Sequence, residues 1–203
     1  QAGEALLDSY TTERAPVAKQ IVTRANQSIG EFGPIFEALG MTGGSDIETI
    51  KANMDARCDT GEAGEAQREA LRAAIAFKKY EFDAHGVEMN QRYASDAIVT
   101  DGQPEPSFDR DAELHYHPTT WPGARLPHVW VFNGDTGAQV STLDLCGNGQ
   151  FTILTGIGGE AWCDAAQAIG ARLGLNIRCH MIGPRQRHVD HGGDWVRASE
   201  IRD

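Results

Sequence analysis

FTILTGIGGEAWCDAA, residues 151–166, decides how the second half of this chain folds. β-Favouring and apolar residues from Phe151 to Leu154 run into a glycine turn, and an alanine-rich stretch of helical spacing follows. A strand, a tight turn and a helix in that order can bind a nucleotide, carry a reactive thiol, or do neither. Gly156, Gly158 and Ala161 satisfy GxGxx[G/A], the dinucleotide-binding pattern. That fingerprint also needs an acid at the end of the next strand, about 20 residues on, to hold a ribose. His180 to Gly183 occupy that place, the next acid is Asp190, and Arg185 or Arg187 could suit only a 2′-phosphate. Cys163 lies near a helix start, where the helix dipole lowers a thiol pKa. A redox pair of the CxxC kind would need a second cysteine three residues away, and Glu160 opposes thiolate formation. The stretch therefore reads as a tight structural turn, with Cys163 as a small packing residue.

Working outward, HVWVF (128–132), QVSTLDL (139–145) and NIRCHMIG (176–183) are further strand candidates. NGDTG (133–137) and Gly147-Asn148-Gly149 are the turns between strands. The helix after the glycine turn carries Trp162, Ala166, Ile169 and Leu173 on one stripe. Residues 101–128 hold Pro104, Pro106, Pro118, Pro122 and Pro127, five of the eight prolines, and form an extended connector. Before it, VEMNQRYASDAIV (87–99) alternates in a β-compatible way and predicts a strand or two, ended by Asp101-Gly102.

Residues 4–39 are helical in period, with Leu6, Tyr10, Val17, Ile21, Ala25, Ile29, Phe32 and Phe36 on one stripe. Pro16 must lie near a helix start or a kink. Ser45 and Glu48 fit a capping box for a second helix, which shows Ile47, Ile50, Met54 and Cys58 on one face. Residues 62–79 predict a third helix, with Leu71 and Ile75 facing inward. The fold class is α+β: a helical segment with a returning strand and connector over 1–117, then a small α/β domain over 118–203.

Apolar residues make up 40% of the chain and charged residues 23%, as in an ordered globular protein. The net charge of −11 argues against nucleic acid and against an anionic membrane face. Cys58, Cys146, Cys163 and Cys179 form no CxxC, so free cytosolic thiols are expected, with Cys146 and Cys179 in the core. His115 with His117, and His188 with His191, place possible metal ligands close together. Neither pair has a third ligand motif, so both are expected to be solvated loop histidines. The chain opens at Gln1 directly in a helix and ends without a closing element. It is expected to be a piece of a longer polypeptide.

LLDSYTTERAPVAKQIV (6–22) resembles the helix that follows the flavin-binding region in FAD-dependent aromatic hydroxylases of the phenol hydroxylase type. YEFDAHGVEMNQRY (80–93), HPTTWPGARLPHVWVF (117–132) and VSTLDLCGNGQFTILTGIGGEAW (140–162) are similar to the C-terminal part of the chlorophenol-hydroxylase branch. The resemblance implies a full enzyme that reduces FAD with NADPH and hydroxylates a phenol ortho to its oxygen, in a pocket kept dry. It further implies that 118–203 is a thioredoxin-like domain without the redox pair, that the enzyme is a homodimer, and that it is cytoplasmic. The family's GxGxxG, DG and GD flavin motifs would all precede Gln1, and the closing β-hairpin would follow Asp203. No catalytic, cofactor-binding or metal residue is therefore assigned within the chain.

His85, Met89 and Tyr93 are the candidates for lining the substrate cavity, because their stretch returns toward the flavin and substrate domain. The alternative makes Met89 and Tyr93 sheet packing and His85 a turn residue. Two other functions compete with the enzyme part. One is a non-catalytic assembly module; the other is a stand-alone thioredoxin-like redox protein, against which the missing CxxC speaks.

Overall fold

The computed structural model describes residues 3–100 and 102–199. The chain divides into two compact units at the His117–Pro118 bond.

The first unit is helical. α1 (Glu4–Gly30) carries Pro16 within it, well past its first turn. α2 (Gly33–Ala38) has a proline at its start, where the missing amide is least needed. α3 (Ile47–Ala56) is capped by Asp46, which accepts the Thr49 amide at 2.8 Å. The expected Ser45–Glu48 box is thus displaced by one residue, because the Asp46 carboxylate also takes the Thr49 hydroxyl at 3.1 Å. α4 (Glu62–Phe77), α5 (Lys79–Phe82) and α6 (His85–Met89) complete the helices.

The strand expected over 87–99 is not formed. Val87 to Met89 belong to α6, and beyond them only Arg92 holds a single β-bridge position among turns and irregular backbone. α6 is fixed from outside the stretch: the Gly86 and Val87 amides donate to the Glu113 carbonyl, at 3.0 and 3.2 Å. Asn90 closes the same contact, donating to the Ala112 and His115 carbonyls and accepting the His117 amide.

Apolar period and burial part company in this unit. Val17 and Ala74 are buried, whereas Ile75, expected to face inward, is 55% exposed. Most of the α1 stripe is open to solvent too, including Leu6, Tyr10, Ile21 and Ile29. A period marks a face built to be covered without saying what covers it. Under α1 runs a charged seam. Arg24 pairs with Glu31 and, at 3.4 Å, with Glu113. Lys78 donates to the Ser28 carbonyl at 2.9 Å, pairs with Glu81, and lies 3.7 Å above the Phe32 ring.

The second unit is α/β. β1 (Trp130–Asn133) turns through 134–138, with Asn133 Oδ1 accepting the Asp135 and Thr136 amides, and pairs antiparallel with β2 (Gln139–Ser141). QVSTLDL is only half strand, because Ser141 caps the Leu143 amide and starts the helical turn α7 (Thr142–Leu145). β3 (Phe151–Thr155), α8 (Glu160–Leu173) and β4 (Ile177–Met181) form a parallel crossover, with Ile153 opposite Cys179. Gly174, at φ 66°, ends α8 in the left-handed conformation that glycine tolerates. β5 (His188–Val189) joins the other edge of β1, and α9 (Asp194–Ser199) follows. The described strands thus make two small sheets, β2-β1-β5 and β3-β4. Val129, Val131, Leu145, Ile182 and Trp195 form the core between them.

On α8, Ala166 is buried, whereas Trp162 is 65% and Leu173 57% exposed. Cys163 and Cys179 are bonded to each other, which corrects the expectation of free packing thiols. They lie 16 residues apart, and the crossover brings the start of α8 over the middle of β4. Cys58 and Cys146 remain free.

Candidate functional site

The glycine turn is built for close packing. A β-carbon on Gly159 would lie 2.2 Å from Thr155 Oγ1, so the helix start sits directly against the end of its own strand. Asp190, the nearest acid after β4, is already used: its carboxylate accepts the Asp194 and Trp195 amides at 3.0 and 2.9 Å and caps α9. A cleft of about 510 Å³ takes in Arg185 and Arg187 with Gly134 and Asp135, away from the turn's own residues.

Beside the turn lies a recess of about 530 Å³, walled by Leu126, Phe151, Leu154 and Trp195 with Cys146, Gln150 and Thr152 among them. The residues that line it include no charged side chain. Burial pushes the Cys146 thiol up from its ordinary value, which keeps it protonated and poorly nucleophilic. This recess can hold an uncharged group, but it offers no acid, base or nucleophile.

The histidines are less solvated than their loops suggest. His117 is buried and stacks on Phe108 with ring centres 4.2 Å apart; burial, then His115 and Arg110, hold its pKa down. His188 is buried in β5, edge-on to His180 at 5.0 Å, and burial lowers the pKa of both. These two positions correct the expectation of open loop histidines. His115 contacts Arg110, and His191 packs on Phe132. Among the described residues no three His, Cys, Asp or Glu side chains gather as metal ligands. No helix among them is long and apolar enough to cross a membrane.

The three cavity candidates are not brought together as one wall. His85 is exposed at the start of α6, and Met89 is half-buried at its end. Tyr93 is half-buried, its hydroxyl accepting from Arg14, whose guanidinium also sits 5.7 Å from the ring centre. Among the described residues no named strand lies there for Met89 or Tyr93 to pack in. Tyr93 directly precedes a cleft of about 600 Å³ between residues 5–12 of α1 and residues 94–97, where Ser95 donates to Glu13 at 2.5 Å. Sequence reasoning missed a second polar cluster, because its members are scattered along the chain. Tyr80 donates to Asp111 at 2.6 Å, which raises the phenol pKa and lowers the carboxyl, and Arg24 lies over the Tyr80 ring.

Residues 119–197 match the family described as aromatic-ring hydroxylase, C-terminal. Residues 119–197 thus carry the C-terminal domain of the aromatic-ring hydroxylases. It is similar to 2,4-dichlorophenol 6-monooxygenase of Cupriavidus pinatubonensis, 52% identical over 202 residues, covering 100% of this chain and 34% of that protein. Phenol 2-monooxygenase of a Pseudomonas species is 46% identical over 99% of this chain and 33% of its own length. Among solved structures, the flavin-dependent monooxygenase PieE, in complex with FAD and substrate, matches with a TM-score of 0.89 at 44% identity. That match covers 99% of this chain and 34% of the PieE chain. The chain spans about a third of the length of the curated relatives it matches.

PieE holds FAD, which makes the glycine turn the place to test for a flavin here. The turn does not fit. Asp190, the acid that would hold a ribose, is spent on capping α9.

Proposed function

We propose that this chain is the C-terminal part of a flavin-dependent phenol monooxygenase. The whole protein uses NADPH, FAD and O2 to convert a phenol to a catechol by ortho-hydroxylation, with a chlorophenol such as 2,4-dichlorophenol the favoured substrate. The similarity to 2,4-dichlorophenol 6-monooxygenase along the full length of this chain carries this reading. FAD and NADPH are handled by polypeptide outside these residues, since the one glycine turn of dinucleotide pattern does not fit the flavin. In the proposed division of labour, 118–203 is a thioredoxin-like structural domain that contributes to a homodimer in the cytoplasm. The uncharged recess and the protonated Cys146 support a structural role. One of His85, Met89 and Tyr93 lines the substrate cavity of the whole enzyme.

The test uses the full-length polypeptide, loaded with FAD, with NADPH consumption, oxygen uptake and product mass followed on phenol and 2,4-dichlorophenol. A catechol product coupled to NADPH oxidation is expected. An FAD-loaded protein that makes no catechol from either compound overturns the reading. Substituting His85, Met89 and Tyr93 one at a time then asks which of them changes phenol affinity or the coupling of NADPH to product. If none does, the cavity assignment is lost.

The second reading is a non-catalytic thioredoxin-like dimerisation module, favoured by Trp162, Ile169 and Leu173 lying exposed along α8. A dimer by sedimentation, from a full-length protein without hydroxylase activity, would select it.

A further inference from the structure

The bond between Cys163 and Cys179 has no part in the function proposed above. We infer that this pair is a reversible thiol–disulfide site whose oxidation state sets how firmly α8 is held on the β3–β4 sheet.

Three observations meet there. Cys163 closes the first turn of α8, Cys179 is the middle residue of β4, and their α-carbons are 5.3 Å apart, within the span a disulfide bridges without backbone movement. Both residues are partly exposed, so an external thiol can reach them. The rest of the hold on α8 is thin. Its large apolar residues Trp162, Ile169 and Leu173 face solvent, and its buried positions are Ala166 and Gly170. Gly170 anchors the second half of the helix, where a β-carbon would meet the Leu175 carbonyl at 2.8 Å and Ile177 Cγ1 at 3.7 Å. The disulfide anchors the first half.

The exchange balances with a dithiol as reductant. One of its thiolates attacks Cys179 Sγ, the Sγ–Sγ bond breaks, and Cys163 leaves as the thiolate. The amides at the start of α8 favour that leaving group, with Glu160 working against them. The reductant's second thiolate then attacks the mixed disulfide and releases Cys179. Two electrons have passed to the pair, each cysteine takes up one proton, and the reductant departs as its own disulfide. Cys146, held protonated in its recess, does not compete as a nucleophile. A cytoplasmic dithiol pool is a setting in which such a pair changes state.

The test uses the full-length protein, aerobic and after dithiothreitol, without denaturant. Thiols are trapped with N-ethylmaleimide and located by peptide mass, and exchange of the α8 amides is followed in parallel. The expected result is that dithiothreitol frees Cys163 and Cys179, that α8 protection falls by about 100-fold, and that reoxidation restores it. Cys163→Ser and Cys179→Ser proteins should match the reduced wild type and ignore dithiothreitol. Both thiols trapped in the aerobic protein, a bond that resists dithiothreitol in the native state, or unchanged α8 exchange on reduction would each overturn the inference. The wild-type comparison stands even where a serine variant fails to fold.

Discussion

Gly86 shows how much one missing side chain can position. A β-carbon there would lie 1.9 Å from the Ala112 carbonyl oxygen and 2.8 Å from that of His115, both backbone atoms that cannot step aside. Gly86→Ala should therefore destabilise the 1–117 unit by about 3 kcal/mol in urea titrations, and a change of under about 0.5 kcal/mol would show that the 111–115 loop yields freely. Thr142 is the counterpart in the other unit. Fully buried, its hydroxyl accepts the Val129 amide at 3.0 Å and donates to the Pro127 carbonyl at 2.7 Å. Thr142→Val keeps the shape and strands both partners, so a loss of about 1–3 kcal/mol is expected from chemical denaturation. Neither role was legible in the sequence. A glycine among helical residues and a threonine beside a strand look ordinary until the fold supplies their distant partners, Ala112 and Pro127.

Elements were legible where a period sustains itself. The strand before the glycine turn, the helix after it and the strand at 177–181 follow directly from composition and spacing. Short alternations failed. VEMNQRY mixes apolar and polar residues in a strand-like way, yet Asn90 and the 111–115 loop hold its first half as a helix. The Cys163–Cys179 bond was hidden for a related reason, since sequence separation says nothing of a crossover that folds a helix back over the next strand. α9 is short, and Asp190 organises its start. Asp190→Ala removes the acceptor for the Asp194 and Trp195 amides and should cost about 1 kcal/mol, read from the unfolding midpoint and from Trp195 emission. Unchanged emission and midpoint would mean that α9 is held by Trp195 packing alone.

At the scale of the whole molecule, the histidines give the second unit a pH dependence. Burial lowers the pKa of His180 and His188, so the folded state takes up their protons less readily than the unfolded chain does. Their stabilisation is complete above the unfolded value of about 6.5 and is lost as the pH falls toward the lower folded values. Stability should decline as the pH falls below about 6.5, and a His180→Gln, His188→Gln protein should lose that part of the slope. A wild-type protein whose stability is flat over this fall in pH would show that both rings accept protons without cost.

The same unit rests on a narrow join. Ile182 donates its amide to the Thr155 carbonyl of β3 at 2.8 Å, bridges to His188 of β5, and places its side chain among Val129 and Val131. Gly183 adds one more backbone bond, to the His188 carbonyl. Beside the shared core, the backbone hydrogen bonds of the two small sheets thus meet at a pair of consecutive residues. Cooperativity is the property most exposed at such a place. Weakening Ile182 would let the β2-β1-β5 and β3-β4 sheets melt in separate steps, turning one all-or-none transition into two.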